Sequence, residues 1–380
     1  MRKQQWRLSG VYLFLLLLVQ MIKAQDYTLT VHEPLPAKGK ATIVVIPDTQ
    51  GYSIRDANVK VLNSVMQWLV NNLDQRNIQC VLHVGDMTNN NSRGQWDRIR
   101  QSYGMLDNKV PYIICEGNHD LKKQKGVYTD YLNSFFSIND NACNKPLMKA
   151  SFEPGKLQNT LYHIKIGEQD FAFLTLEFSP RQKVLDWAIS VIKQNGDKHI
   201  FLVVHDYLNE HSRLLSYDGQ PQVVGKVPGA KRRTTGMDIY EKVVLPNPNV
   251  EFLVCGHAGA VRLRQANEPL SPVEERAIQK NSRHGSHKEA FFKTFCYDPD
   301  IATGHRTDTV INSLLKHQIL FNAQWVKDED GAGNGGDGWI LLMEFDANNE
   351  KVQLKTYSPY LNKWRIGSEF NYELKRSVVN

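Results

Sequence analysis

Five short apolar runs punctuate the chain: ATIVVI at 41–46, CVLHV at 80–84, VPYIIC at 110–115, HIFLVV at 199–204 and VEFLVC at 250–255. Each is rich in Val and Ile and has no helical period, the pattern of strands buried on both faces of a sheet. Between them, apolar positions return every three or four residues. Over 56–77, Val61, Val65, Trp68 and Leu69 share one helical face; 92–107 and 181–195 are similar, with Pro180 near a helix start. Strand and helix in alternation predict an α/β sandwich with right-handed crossovers. The stretch 159–178 reads as a hairpin, and WILLMEF with KVQLKTY predicts a C-terminal hairpin at 338–358 around DANNE. Two polar stretches bearing Lys and Arg, 208–235 and 266–310, read as insertions over one face of the sheet. With no repeat and no second-domain linker, one domain is expected over 40–360. The Gly-rich turn at 331–338 has no strand before it and no Lys-Ser/Thr after it, so it is not a phosphate-binding P-loop.

The N-terminus departs from this pattern. MRKQQWR is basic, VYLFLLLLV is a nine-residue apolar run, and Ala24 offers a small-residue exit. This is the layout of a secretory signal peptide over 1–24, and the run is short for a bilayer span. An N-terminal membrane anchor is the alternative. No other run approaches spanning length, so no transmembrane span is expected once the leader is cleaved. Arg2, Lys3, Arg7 and Lys23 leave with it and no acid does, so the formal charge drops from +6 by four, to +2. A near-neutral mature chain argues against a dedicated nucleic-acid surface. The rest, 41% hydrophobic and 23% charged, is ordinary globular composition. Cys80, Cys115 and Cys255 lie in apolar runs and read as buried thiols; Cys143 and Cys296 lie outside them and could pair.

The chemistry lies just past the strands. After the first run come Asp48 and Gln50; after the second, Asp86; after the third, Asn118, His119 and Asp120; after the fourth, His205; after the fifth, His257. Ligands of open α/β sheets bind beyond the carboxyl ends of strands. One polar residue there is commonplace, and a lone His after a strand is more often bonded locally than a ligand. Five strand ends in succession, each carrying an oxygen or imidazole donor, point to a shared site. Mixed carboxylate, amide and imidazole donors suit divalent Mn, Fe or Zn.

The order D-x-Q … GD … GNHD … H … GH, over 42–258, resembles the calcineurin-like metallophosphoesterase family. The tail GDGWILLMEFDANNEKVQLKTYSP, with HRTD and NAQ upstream, is similar to a secreted subgroup whose first motif is also PDTQ. The resemblance implies a four-layer αββα sandwich with two divalent ions (Mn, Fe or Zn). Asp86 would bridge them, Asp48 and Gln50 would serve the first, and Asn118, His205 and His257 the second. His119 would stand at the leaving-group oxygen, with Asp120 orienting it or a neighbouring ligand. A metal-activated water would attack a phosphomonoester or phosphodiester of small-molecule or macromolecular origin.

Three positions depart from the commoner form of the family. Its first motif usually ends in His, here Gln50. Its last usually reads GHxH, here GHAG, so Gly259 supplies no ligand. Many relatives carry an acid where this chain has Asn89, which bears on how His119 is oriented. A second site stronger than the first follows. The expectation is a secreted or periplasmic metal-dependent phosphoesterase. The alternative is a metal-binding module on the same fold with weak or no hydrolysis; a single-metal enzyme, or one acting on another bond, is a third reading.

Overall fold

A computed structural model describes residues 29–30, 39–124, 127–209, 212–216, 234–258, 261–263, 295–297, 302–310, 313–324, 334–348 and 350–377. The expected signal peptide lies outside the described residues, as do 217–233 and 264–294 within the two expected insertions.

In chain order the strands are β1 (Leu29–Thr30), β2 (Ala41–Ile46), β3 (Ile78–His83), β4 (Tyr112–Ile114), β5 (Leu121–Gln124), β6 (Val127–Asp130), β7 (Met148–Ser151), β8 (Thr160–Ile166), β9 (Gln169–Thr175), β10 (His199–Val203), β11 (Val250–Cys255), β12 (Val261–Leu263), β13 (Phe295–Tyr297), β14 (Ala302–Thr309), β15 (Leu315–Asn322), β16 (Ile340–Phe345), β17 (Lys351–Ser358), β18 (Lys363–Arg365) and β19 (Asn371–Lys375). One sheet runs β1-β18-β17-β16-β2-β3-β4, with β19 also paired to β17; the other runs β14-β15-β11-β10-β9-β8-β7. All five apolar runs form strands, and each pairs in parallel with a neighbour. The hairpin β16–β17 enters the first sheet antiparallel to β2.

Alternation along these strands builds four layers. Ile43 and Val45 of β2, Cys80 and Leu82 of β3 and Leu341 and Met343 of β16 meet Phe173, Phe201, Phe252 and Phe321 of the second sheet. Their neighbours turn outward. Val44, Val81 and Leu342 pack on the helices Asp56–Asn72 and Arg93–Gly104 through Val61, Val65, Leu69, Trp96 and Tyr103. On the far side, Leu174, Leu202 and Leu253 pack on the helix Gln182–Gln194 through Val184, Leu185, Ala188 and Ile192. This is the helix–sheet–sheet–helix sandwich. Between the sheets Phe201 stacks on Phe173 and Phe252, with ring centroids 5.0 and 5.4 Å apart.

Two elements differ from the sequence reading. Residues 302–309, read as part of an insertion, form β14, an edge strand antiparallel to β15. β15 itself, with the polar sequence LKHQILFN, is almost wholly buried and pairs in parallel with β11.

Candidate metal centre

The parallel strands of both sheets deliver their carboxyl ends to one place. β2, β3 and β4 bring Asp48, Asp86 and Asn118; β10 and β11 bring His205 and His257. Close approach explains two glycines of the motifs. A Cβ on Gly117 would stand 2.2 Å from Asp86 N and Oδ1, and one on Gly256 would stand 2.2 Å from Asp48 Oδ1. Asp86 and His257 both hold left-handed backbone, φ 54° and 65°. Such conformations are uncommon off glycine and concentrate at functional sites.

On one side of the centre, four side chains converge. His205 Nε2 lies 3.3 Å from Asp86 Oδ1, 3.1 Å from Asn118 Oδ1 and 3.1 Å from His257 Nδ1. His205 Nδ1 donates to the Val84 carbonyl at 2.9 Å, so the neutral ring presents Nε2 as a lone pair. Burial opposes a charge on His205, but Asp86, through attraction and a hydrogen bond, outweighs it and pushes the pKa up to about 9. Burial likewise opposes the Asp86 carboxylate; the surrounding histidines, His205 foremost, prevail and hold it below the usual range. A proton on His205 therefore does in the chain alone what a cation would do better: it gives the converging lone pairs one positive centre.

Oxygen and amide groups make up the other side. Asp48 is buried, and burial with the nearby Asp86 pushes its carboxyl up to about 8 against the pull of His205. Its carboxylate accepts the His257 N–H at 3.2 and 3.3 Å, Asn322 Nδ2 at 3.1 Å and Gln324 Nε2 at 2.9 Å. Gln50 Nε2 donates to Gln324 Oε1, and Gln50 Oε1 is buried without a hydrogen-bond partner among the described residues. Asn322 and Gln324 were not assigned a role by the sequence reading. They are the ends of the NAQ motif, just past β15, so the strand-end rule that found the others applies to them as well.

His119 and Asp120 share one turn and face different partners. The His119 N–H donates to Asp86 Oδ1 at 2.8 Å, and its Nδ1 donates to the Asn89 carbonyl at 2.6 Å. The main chain of residue 89 therefore orients the ring, whatever side chain stands there. Asp120 is fully buried. Its carboxylate accepts Met87 N (3.1 Å), Thr88 N (2.8 Å), Thr88 Oγ1 (3.0 Å) and Gly117 N (3.0 Å). These four bonds link the GD loop, which carries Asp86, to the GNHD turn, which carries Asn118 and His119. Burial and Asp86 push its carboxyl up to about 7. Trp96 is a core residue bonded to Asn91, Tyr52 bonds the Gly338 N–H, and Cys143 has no disulfide partner among the described side chains, which do not include that of Cys296.

These atoms fit divalent cations. The converging set mixes carboxylate, amide and imidazole, one ligand atom from each of Asp86, His205 and His257 lying within 4.8 Å of the others. Gln50 Oε1, a buried acceptor without a donor among the described residues, is an atom that a bound cation would satisfy.

Residues 41–259 match the family model of the calcineurin-like phosphoesterases. The chain belongs to that family. The matching segment contains every residue of the centre except Asn322 and Gln324. Over 328 residues the chain is 26% identical to the uncharacterized protein YvnB of Bacillus subtilis (strain 168), covering 86% of this chain and 20% of that protein. Over 211 residues it is 21% identical to a nucleotide pyrophosphatase/phosphodiesterase of Hordeum vulgare, covering 50% and 54%. The chain thus spans from a fifth to about half of the length of these relatives. Purple acid phosphatase PPD1 from yellow lupin seeds aligns at a TM-score of 0.45 with 13% identity, over 91% of this chain and 55% of that one. Among the described residues no helix is long and apolar enough to cross a membrane.

Proposed function

We propose that this phosphoesterase-family chain is a secreted hydrolase of a phosphomonoester or phosphodiester, dependent on two divalent cations. Asp86 would be shared between them. Asn118, His205 and His257 would hold one, and Asp48 and Gln50 the other. The cations would supply Lewis acidity to phosphoryl oxygens and to water. The chain's own groups do the rest. His119, with Nδ1 committed to the Asn89 carbonyl, keeps Nε2 to carry a proton to the leaving oxygen. Its N–H on Asp86 ties that ring to the shared carboxylate, so proton donor and cation ligand keep a fixed separation. Asp120 holds both loops in register.

The observation that carries this reading is the meeting of Asp86, Asn118, His205 and His257 around one point. The test uses the mature chain, stripped with a chelator and assayed on para-nitrophenyl phosphate and its bis-ester while Mn(II) is titrated back. A rate that rises with Mn(II) is expected, and the preferred ester separates mono- from diesterase. A second reading, a metal-binding module with little hydrolysis, is motivated by Gln50 and Gly259, which leave the first site without an imidazole. Tight Mn(II) binding with neither ester turned over would favour it.

A further inference from the structure

We propose that Gln324 is a positioning residue that makes Gln50 a metal ligand, by fixing which end of the Gln50 carboxamide is presented. The inference rests on the metal-centre reading above. A carboxamide has a donor end and an acceptor end of nearly equal shape, and only its partners decide which points where. Here the decision is passed from the main chain through two amides and a carboxylate.

The Gln324 backbone N–H, which can only donate, bonds Asn322 Oδ1 at 3.0 Å. Asn322 must therefore turn Nδ2 to its other neighbours, Asp48 Oδ2 at 3.1 Å and the Ala258 carbonyl at 3.2 Å. The carbonyl can only accept, which imposes the same polarity independently. Asp48 Oδ2 receives both Asn322 Nδ2 and the His257 N–H, so this oxygen acts as an acceptor. Gln324 answers with Nε2 at 2.9 Å, which turns its Oε1 to Gln50, and Gln50 meets that oxygen with Nε2. One atom remains, Gln50 Oε1, buried and without a hydrogen-bond partner among the described residues. A flipped Gln50 would set two carbonyl oxygens together and offer the centre an NH₂ with no lone pair. The relay excludes that state, so an ordinarily ambiguous side chain becomes a dedicated oxygen donor.

The test is a double-mutant cycle read by Mn(II) binding to the chelator-stripped full chain, using calorimetry and electron paramagnetic resonance without substrate. Gln324→Leu, Gln50→Leu and the double variant are compared, with Gln324→Ala as a second truncation. Wild type is expected to bind two equivalents of unequal affinity. Gln324→Leu should weaken the weaker one by at least about tenfold and leave the tighter within about twofold, which also reports an intact fold. In the Gln50→Leu background most of that effect should vanish, because the residue it acts through is gone. An effect of the same size in both backgrounds, or none in either, overturns the relay. So does a wild type with a single equivalent, which would leave Gln50 no ion to hold. A wild type that binds no Mn(II) sinks the metal-centre reading and the relay with it.

Discussion

The two halves of the centre solve one problem by different means. His205 needs a single partner, the Val84 carbonyl, to present a lone pair at Nε2, because an imidazole with one nitrogen protonated has its other nitrogen fixed as acceptor. Gln50 needs Gln324, Asp48 and Asn322 in series before its oxygen is fixed. On the proposed ligand sets, the imidazole half would favour borderline ions, and the carboxamide half, made of oxygens, a harder ion held more weakly. Replacing one ring by an amide means that polarity must be imposed from outside the first ring of ligands.

The largest effect should come from the group the halves share. Asp86→Ala should abolish binding of both equivalents of Mn(II), measured by metal analysis after desalting, and bring hydrolysis to background. Retention of one equivalent would show that the halves do not share this carboxylate. Next, single losses should separate the halves. His205→Ala should remove the tighter equivalent, and Gln50→Leu the weaker one; two equal Kd values in wild type would break the comparison outright. Third, His119→Ala should leave metal content unchanged and lower kcat by about 10²- to 10⁴-fold, the usual worth of a proton donor. Loss of metal instead would make His119 a ligand.

A fourth prediction uses pH. The folded-state pKa of Asp48, about 8, lies above its unfolded value, and that of His205, about 9, does too. The folded chain holds protons that the unfolded chain releases, so both groups contribute stability that is lost as pH rises through 8 and 9. His83, lowered to about 3 by burial and the charge of His205, against the attraction of Asp86, is neutral in both states above pH 7 and adds nothing there. The chelator-stripped protein should lose several degrees of Tm between pH 7 and 9, at about 2–4 °C or less per kcal/mol for a chain this long. Saturating Mn(II), which replaces the protons, should flatten the slope; a slope indifferent to Mn(II) would detach these groups from the centre. The smallest effect should be at Asn89. Because only its carbonyl holds His119, Asn89→Ala should keep kcat within about threefold, and a large loss would show that its side chain matters after all.

Five of the strand ends were legible because their strands are plain apolar runs. The sixth was not, because β15 carries Lys316, His317 and Gln318 in its buried length. Each is satisfied by partners distant in sequence. Lys316 Nζ donates to the carbonyls of Asn247, Pro248 and Val250 at 2.7, 2.7 and 2.6 Å; His317 bonds Thr307 and the Lys375 carbonyl; Gln318 bonds Asp308 and Tyr207. A strand whose polar groups are matched by the fold cannot be told from a loop by hydropathy. Asn322 and Gln324 were hidden with it, although NAQ stood out as a motif. Asp120 was legible as part of the site. Its bonding partners were not, since they are mostly main-chain donors that sequence does not display. The same holds for Asn89, where the side chain drew the eye and the carbonyl makes the bond.

Asp48 and Gln324 meet across 276 residues of chain. During synthesis, at about 5–20 residues per second, Gln324 leaves the ribosome on the order of tens of seconds after Asp48. His257 emerges before it, so Asp86, Asn118, His205 and His257 are all translated while Asn322 and Gln324 are still to come. The Asp48 side of the centre therefore stays incomplete until β15 and the two residues after it have been made.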